Sequence, residues 1–147
     1  MSVNIAIING PNLNLLGKRE PSIYGSQSFD TYFEYLQRLY PQISLTYVQS
    51  NVEGELVNLI QELGFKVDGI VLNAAAYSHT SIAIADAVAA VPVDVIGLHI
   101  SNIYQREEER HVDLLAKSCK ACLFGFGLDG YRMALDYFKN LNPEIIV

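Results

Sequence analysis

Val3-Asn4-Ile5-Ala6-Ile7-Ile8-Asn9-Gly10-Pro11-Asn12-Leu13-Asn14 opens with an apolar, β-branched run that stops abruptly in amides and a Gly-Pro turn. The run does not alternate strictly, as expected of a strand buried on both faces of a parallel sheet. Similar runs recur at Ile43–Val48, Gly69–Leu72, Val93–Ile100 and Ala121–Phe124. Between them lie helical patterns at Phe29–Leu39, Glu53–Leu63 and Ser81–Ala90, a short one near Arg106–Lys117, and a last at Tyr131–Asn140. Asn51 before Glu53 suits a helix start and Gly64 its end, while Thr80-Ser81 suits another start. Five such βα units predict a three-layer, doubly wound α/β domain on a five-stranded parallel sheet. The strand order expected at this size is 2-1-3-4-5.

Composition sets the outer limits. At 147 residues, half of them apolar, the chain can bury roughly two-thirds of its unfolded surface and form one domain over 1–147. No linker, repeat or low-complexity tract divides it. A net charge of −6 with only 10 Lys plus Arg argues against a nucleic-acid partner or an acidic membrane surface. No apolar run approaches the ~20 residues of a membrane helix. The N-terminus reads as a strand rather than a secretory signal, so the expected location is cytoplasmic.

Polar residues cluster where the strands end. Asn9 to Asn12, Gln49 to Asn51, Asn73 to His79, His99 to Asn102 and Gly125 to Gly127 follow the five runs in turn. In an open parallel sheet these carboxyl ends face one edge, where ligands bind. Five sets of amides, hydroxyls and imidazoles are therefore expected to converge on one crevice.

Several familiar motifs fail in context. Gly125-Phe126-Gly127-Leu128-Asp129-Gly130 fits the dinucleotide pattern, but only Tyr131 to Val147 follow, leaving no second strand for a ribose-binding carboxylate. Cys119-Lys120-Ala121-Cys122 has redox spacing yet precedes a strand, so no helix N-terminus lowers a thiolate pKa. The three His and two Cys lack metal-ligand spacing. A phosphoryl-accepting receiver needs acids where this chain has Asn9 and Asn73, and an FMN site needs a hydroxyl-rich loop where it has Asn9-Gly10-Pro11-Asn12.

Gly10 to Gly25 is long for a connection in a compact domain and reads as a lid or binding loop, about residues 10–25. It carries Arg19 and Tyr24. A phenol ordinarily ionises at about pH 10, and a neighbouring guanidinium favours phenolate. Bringing it near neutrality takes ~3–4 kcal/mol. His99 ends the fourth run and shares its edge with His79, Asn73, Arg106 and Arg110. A spacing of four places the two arginines on one side of a helix. The amides of Ile100 and Ser101, leaving the strand, could hold a carboxylate.

These residues closely resemble the type II 3-dehydroquinate dehydratases. Asn9-Gly10-Pro11-Asn12-Leu13-Asn14-Leu15-Leu16-Gly17, Arg19-Glu20-Pro21 and Ile23-Tyr24-Gly25 look like that family's opening. Gln49-Ser50-Asn51, Glu53-Gly54-Glu55-Leu56, Tyr77-Ser78-His79-Thr80-Ser81, His99-Ile100-Ser101-Asn102, Arg106-Glu107 and Gly125-Phe126-Gly127 continue it in order. The resemblance implies a flavodoxin-like fold, a dodecamer of four trimers, and an enzyme without metal or cofactor in the shikimate or quinate pathway. It would turn 3-dehydroquinate into 3-dehydroshikimate and water by anti elimination. By this likeness Tyr24 would abstract the proton alpha to the ketone, Arg19 would support its phenolate, and Asn12 would hold the enolate oxygen through a water. His99 would protonate the departing hydroxyl. Asn73, Ile100 and Ser101 would bind the carboxylate and hydroxyls, His79 and Arg110 the ring hydroxyls, and Asp86 would reach a neighbouring subunit's site.

Three positions depart from the family pattern. Gly97 stands where a carboxylate usually precedes the strand-end His by two residues, and Asp94 has the wrong parity to replace it. An unpartnered His99 would lose imidazolium population and tautomer control. On that ground an oligomeric binding or regulatory protein with little catalysis is the alternative expectation. Ala74-Ala75-Ala76 replaces the usual small turn after Asn73, and Ala85 replaces an Arg before Asp86, which would alter trimer–trimer contacts.

Overall fold

A computed structural model describes residues 2–18, 20–24 and 26–140, the side chains of Pro21 and Tyr24 excepted. The strands are β1 (Val3–Asn9), β2 (Ile43–Gln49), β3 (Gly69–Asn73), β4 (Asp94–His99) and β5 (Ala121–Phe124). Every pairing is parallel and the order is β2-β1-β3-β4-β5, as expected. The helices are α1 (Pro21–Tyr24, a single turn), α2 (Phe29–Leu39), α3 (Glu53–Gly64), α4 (Ile82–Ala90) and α5 (Asp129–Asn140). Among the described residues no helix is long and apolar enough to cross a membrane.

Period-two alternation divides the core between the faces. Ile5, Ile7, Val71, Ile96 and Leu98 pack with Phe29, Tyr32 and Leu36 of α2 and Tyr131, Leu135 and Phe138 of α5. Ala6, Ile8, Ile70, Leu72 and Val95 pack with Leu56 and Ile60 of α3, Ile84 and Val88 of α4, and Leu115. Both neighbours of each central strand residue are thus apolar, which is why the runs never alternated with polar residues. Leu13 and Leu16 belong to the first cluster, each 5% exposed. The front half of the predicted lid is therefore anchored in the core, and it includes a 3₁₀ turn at Leu13–Leu15.

Two local expectations change, and a third holds for a different reason. Asn51 does not cap α3. Val52 occupies that position, and the Asn51 side chain instead accepts from the Asn12 amide at 2.9 Å. Gly64 is the last residue of α3 rather than a left-handed stop: a Cβ there would lie 2.4 Å from Cγ1 of Val91, so helix packing selects the glycine. The expected helix near Arg106–Lys117 is broken into 3₁₀ turns at Glu108–Arg110 and Ala116–Ser118. Glu107 is extended (φ −58°, ψ 150°), and Asp113 Oδ1 accepts the Leu115 N–H at 2.9 Å. A side chain that satisfies nearby backbone in this way competes with helix. Ser81 does cap α4 as its sequence suggested, accepting the Ile84 amide at 2.9 Å.

Candidate active site

The register places Asn9 beside Asn73 on β1 and β3, and ends β4 at His99. The Gly10 amide donates to Asn73 O at 2.7 Å, and a Cβ on Gly10 would meet Ala74 O at 2.6 Å. Only glycine lets the β1 loop pass so close to β3. Above these ends opens a cleft. Pro11, Asn12 and Leu13 line it from β1, Asn73, Ala75, Ala76 and His79 from β3, and His99, Ile100, Ser101 and Ile103 from β4. Arg106 and Arg110 close its side.

Buried hydrogen bonds hold the floor. Tyr131 donates to Asn9 Oδ1 at 2.8 Å, and Asn73 Nδ2 donates to the Tyr131 hydroxyl at 2.9 Å. Asn73 Oδ1 accepts the Ala75 amide at 3.1 Å, which holds Ala75 in the left-handed region at φ 52°. That conformation answers for the Ala74-Ala75-Ala76 turn: an alanine occupies a geometry that glycine adopts more easily. Gln49 and Asn51 do not line the cleft. Gln49 Nε2 donates to Gly10 O and Asn51 Oδ1, both at 3.1 Å, and Tyr77 donates to Asn51 O at 2.8 Å. Gly125 and Gly127 likewise donate to His99 O and Ile100 O. Two of the five strand-end clusters thus brace the loops that the others use.

The imidazoles carry the site's electrostatics. His99 Nε2 donates to Asp113 Oδ2 at 2.9 Å, with the two side chains 8% and 13% exposed. The His79 ring stacks on His99 with centroids 5.3 Å apart, and its Nδ1–H donates to Val112 O at 2.7 Å. Burial lowers the His79 pKa below its usual value, and the neighbouring His99 and Arg110 charges add to this against the Val112 carbonyl and Asp113. Burial alone would raise the Asp113 carboxyl. Its hydrogen bond and charge pairing with His99, helped by the Leu115 amide, outweigh that and hold it below the ordinary carboxylate range. Arg106 donates to Ser101 Oγ at 3.2 Å, while Arg110 Nε pairs with Glu107 at 2.6 Å. The Arg110 bond is the leading cause of a lowered Glu107 pKa.

The structure therefore brings Asn12, Asn73, His79, His99, Ile100, Ser101 and Arg110 to one cleft. Asp86 is not there. It is exposed on α4 and lines a separate depression with Ile82, Ala85, Asp113 and Lys117. Arg19 lies outside the described residues, and so does the Tyr24 side chain, whose backbone ends α1. Arg106, expected at this edge, reaches the cleft together with Arg110, although no helix aligns them. One member was missed. Asp113 overturns the expectation that Gly97 leaves His99 without a carboxylate. Its signal was available: an acid set among Val112, Leu114 and Leu115, unlike the solvated Glu107-Glu108-Glu109 run.

Residues 3–139 match the family Dehydroquinase class II. This chain belongs to that family. It is 46% identical over 146 residues to the 3-dehydroquinate dehydratase of Bacillus licheniformis, covering 96% of this chain and 99% of that one. The 3-dehydroquinate dehydratase of Aliarcobacter butzleri is 50% identical over 145 residues, covering 97% and 88%. The crystal structure of the type II dehydroquinase from Butyrivibrio crossotus superposes with a TM-score of 0.89 at 42% identity, covering 92% and 97%.

Proposed function

We infer that the protein is a hydro-lyase converting 3-dehydroquinate to 3-dehydroshikimate and water. The observation that carries this is a strand-end imidazole, backed by a largely buried carboxylate, facing a cleft with two arginines in a chain of the dehydroquinase family. The alternative of a binding protein with little catalysis rested on an unpartnered His99, and Asp113 removes that ground.

In the reaction so read, the Tyr24 phenolate, supported by Arg19, takes the proton alpha to the ketone. The electron pair becomes an enolate, which Asn12 stabilises through a water. Collapse of the enolate expels the C1 hydroxyl, and the His99 imidazolium gives it a proton so that it leaves as water. Phenol and neutral imidazole then reset by exchange with solvent. A positioned base and a preorganised donor are what carbon deprotonation demands. Asn73, Ile100 and Ser101 hold the substrate carboxylate and hydroxyls, and His79 and Arg110 the ring hydroxyls. Local arginines suit an anion entering a protein of net charge −6. The whole chain serves as one catalytic domain in the cytoplasm, and the part of the 10–25 loop beyond the core-anchored Leu13 and Leu16 closes as a lid that excludes water. Four trimers form a dodecamer in which Asp86 reaches the next subunit's cleft.

Mixing purified protein with 3-dehydroquinate and following the ultraviolet absorbance of the conjugated product tests the reading. Growth of that absorbance is expected. Tight binding with no turnover would restore the alternative.

A further inference from the structure

The imidazole that ends β4 finds its carboxylate on a different element, and we propose that Asp113 is the positioning residue that orients and charges His99. This rests on reading His99 as the general acid. On β4, residues 95, 97 and 99 face the same side, and the segment after β4 folds back over that side. A carboxylate at position 97 would be the shortest route to the ring, but a side chain there would press on two cysteine sulfurs. A Cβ on Gly97 would lie 3.1 Å from Cys119 Sγ and 3.3 Å from Cys122 Sγ. The two sulfurs fill the strand face, and the acid comes instead from the loop above it.

Asp113 is built to hold that position. Its Oδ1 is tied to the Leu115 amide at 2.9 Å, so only Oδ2 is left for His99 Nε2, also at 2.9 Å. The pair is nearly buried, so solvent screens it weakly. A carboxylate on Nε2 places the neutral ring's proton there and stabilises the imidazolium, whose other proton, on Nδ1, is the one to deliver. Other groups also face the ring region: the His79 imidazole, which burial biases toward the neutral form, stacks on it, and the cations Arg106 and Arg110 line the same cleft. Cys119 and Cys122 lie beside Gly97, and their mutual hydrogen bond, with burial adding to it, keeps the Cys119 thiol protonated. Among these groups Asp113 is the anion in contact with His99.

Asp113→Asn tests this cleanly, because its side-chain oxygen can still accept the Leu115 amide. The new amide nitrogen faces Nε2, which must give up its proton and accept, so the neutral ring carries its proton on Nδ1. With tautomer error of this kind kcat is expected to fall roughly 10²-fold or more, with KM little changed. The alkaline limb of kcat should move to lower pH, and Asp113→Glu should recover part of the loss. Ring ¹⁵N resonances, simple to assign with only three histidines, check the geometry without substrate. A neutral His99 protonated on Nε2 in wild type, switching to Nδ1 in Asp113→Asn, supports the proposal. An Nδ1-protonated wild-type ring would overturn it even if the variant does not fold. Full activity in Asp113→Asn beside a dead His99→Ala would overturn Asp113 alone. Full activity in both would instead remove His99 as the acid.

Discussion

At the residue scale, Gly97 and Asp113 explain each other. Parity on β4 said that position 97 faces the imidazole, and that much was readable from the sequence. What the sequence did not show is that Cys119 and Cys122 close over the same face. Gly97→Glu is therefore expected to crowd the sulfurs, costing about 1–3 kcal/mol of stability, with no gain in turnover. Thermal melting and steady-state kinetics on one preparation check both halves. A faster enzyme would mean that Asp113 does not suffice. Tyr24→Phe removes the proposed base and should cut kcat by about 10²–10⁴-fold while leaving the oligomer unchanged on gel filtration. A rate like wild type would exclude that phenol. Ala75, held at φ 52° by Asn73, carries a Cβ in a region that costs about 1 kcal/mol, so Ala75→Gly should not lower Tm despite its added chain entropy.

At the element scale, stripes and caps did most of the work. Phe29, Tyr32 and Leu36 stand at helical spacing on α2 and are buried against Tyr131 and the sheet. Leu36 is fully buried, so Leu36→Ala should cost about 2–5 kcal/mol, read from the denaturant midpoint at constant m. The bounds of α2 and β5 were legible to the residue because each is framed by its own signals. The segment between β4 and β5 was not. Its charges, Arg106-Glu107-Glu108-Glu109-Arg110, spell a solvated helix. Yet Asp113 ties the backbone at Leu115, His111 donates to Arg106 O at 2.9 Å, and both arginines turn into the cleft. These short-range side-chain bonds to the backbone outweighed a charge pattern worth only tenths of a kcal/mol per pair.

At the scale of the whole molecule, buried titratable groups bound the pH range. Asp113 and His79 are both lowered, from usual values of 3.8 and 6.5. The unfolded chain binds protons more readily at each, so their contribution is full above pH 6.5 and drains as pH falls, His79 first and Asp113 below 3.8. On the other side, burial pushes the Tyr32 phenol from 10.0 up to about 12, with nearby Asp129 adding to it. Burial also raises Tyr131 and Tyr40, the latter helped by its 2.6 Å hydrogen bond to Asp136. These groups stay neutral in the fold, so stability is full below pH 10.0 and is lost above it. The part of the tyrosinate absorbance that belongs to Tyr32, Tyr40 and Tyr131 should therefore rise in one cooperative step with unfolding.

The strand order came from the usual arrangement of five βα units, but the apolar runs, their lack of alternation and the amides that end them were enough by themselves to determine the parallel sheet and the edge where ligands meet. Those features follow from short-range periodicity, which a linear chain displays directly. Tertiary structure alone decided which strand-end clusters touch the cleft and which brace it, that Asn51 serves the Asn12 loop instead of its own helix, and that His99 pairs with Asp113. Each is a contact between residues 14 to 39 positions apart, chosen by the space that packing leaves once the sheet has formed.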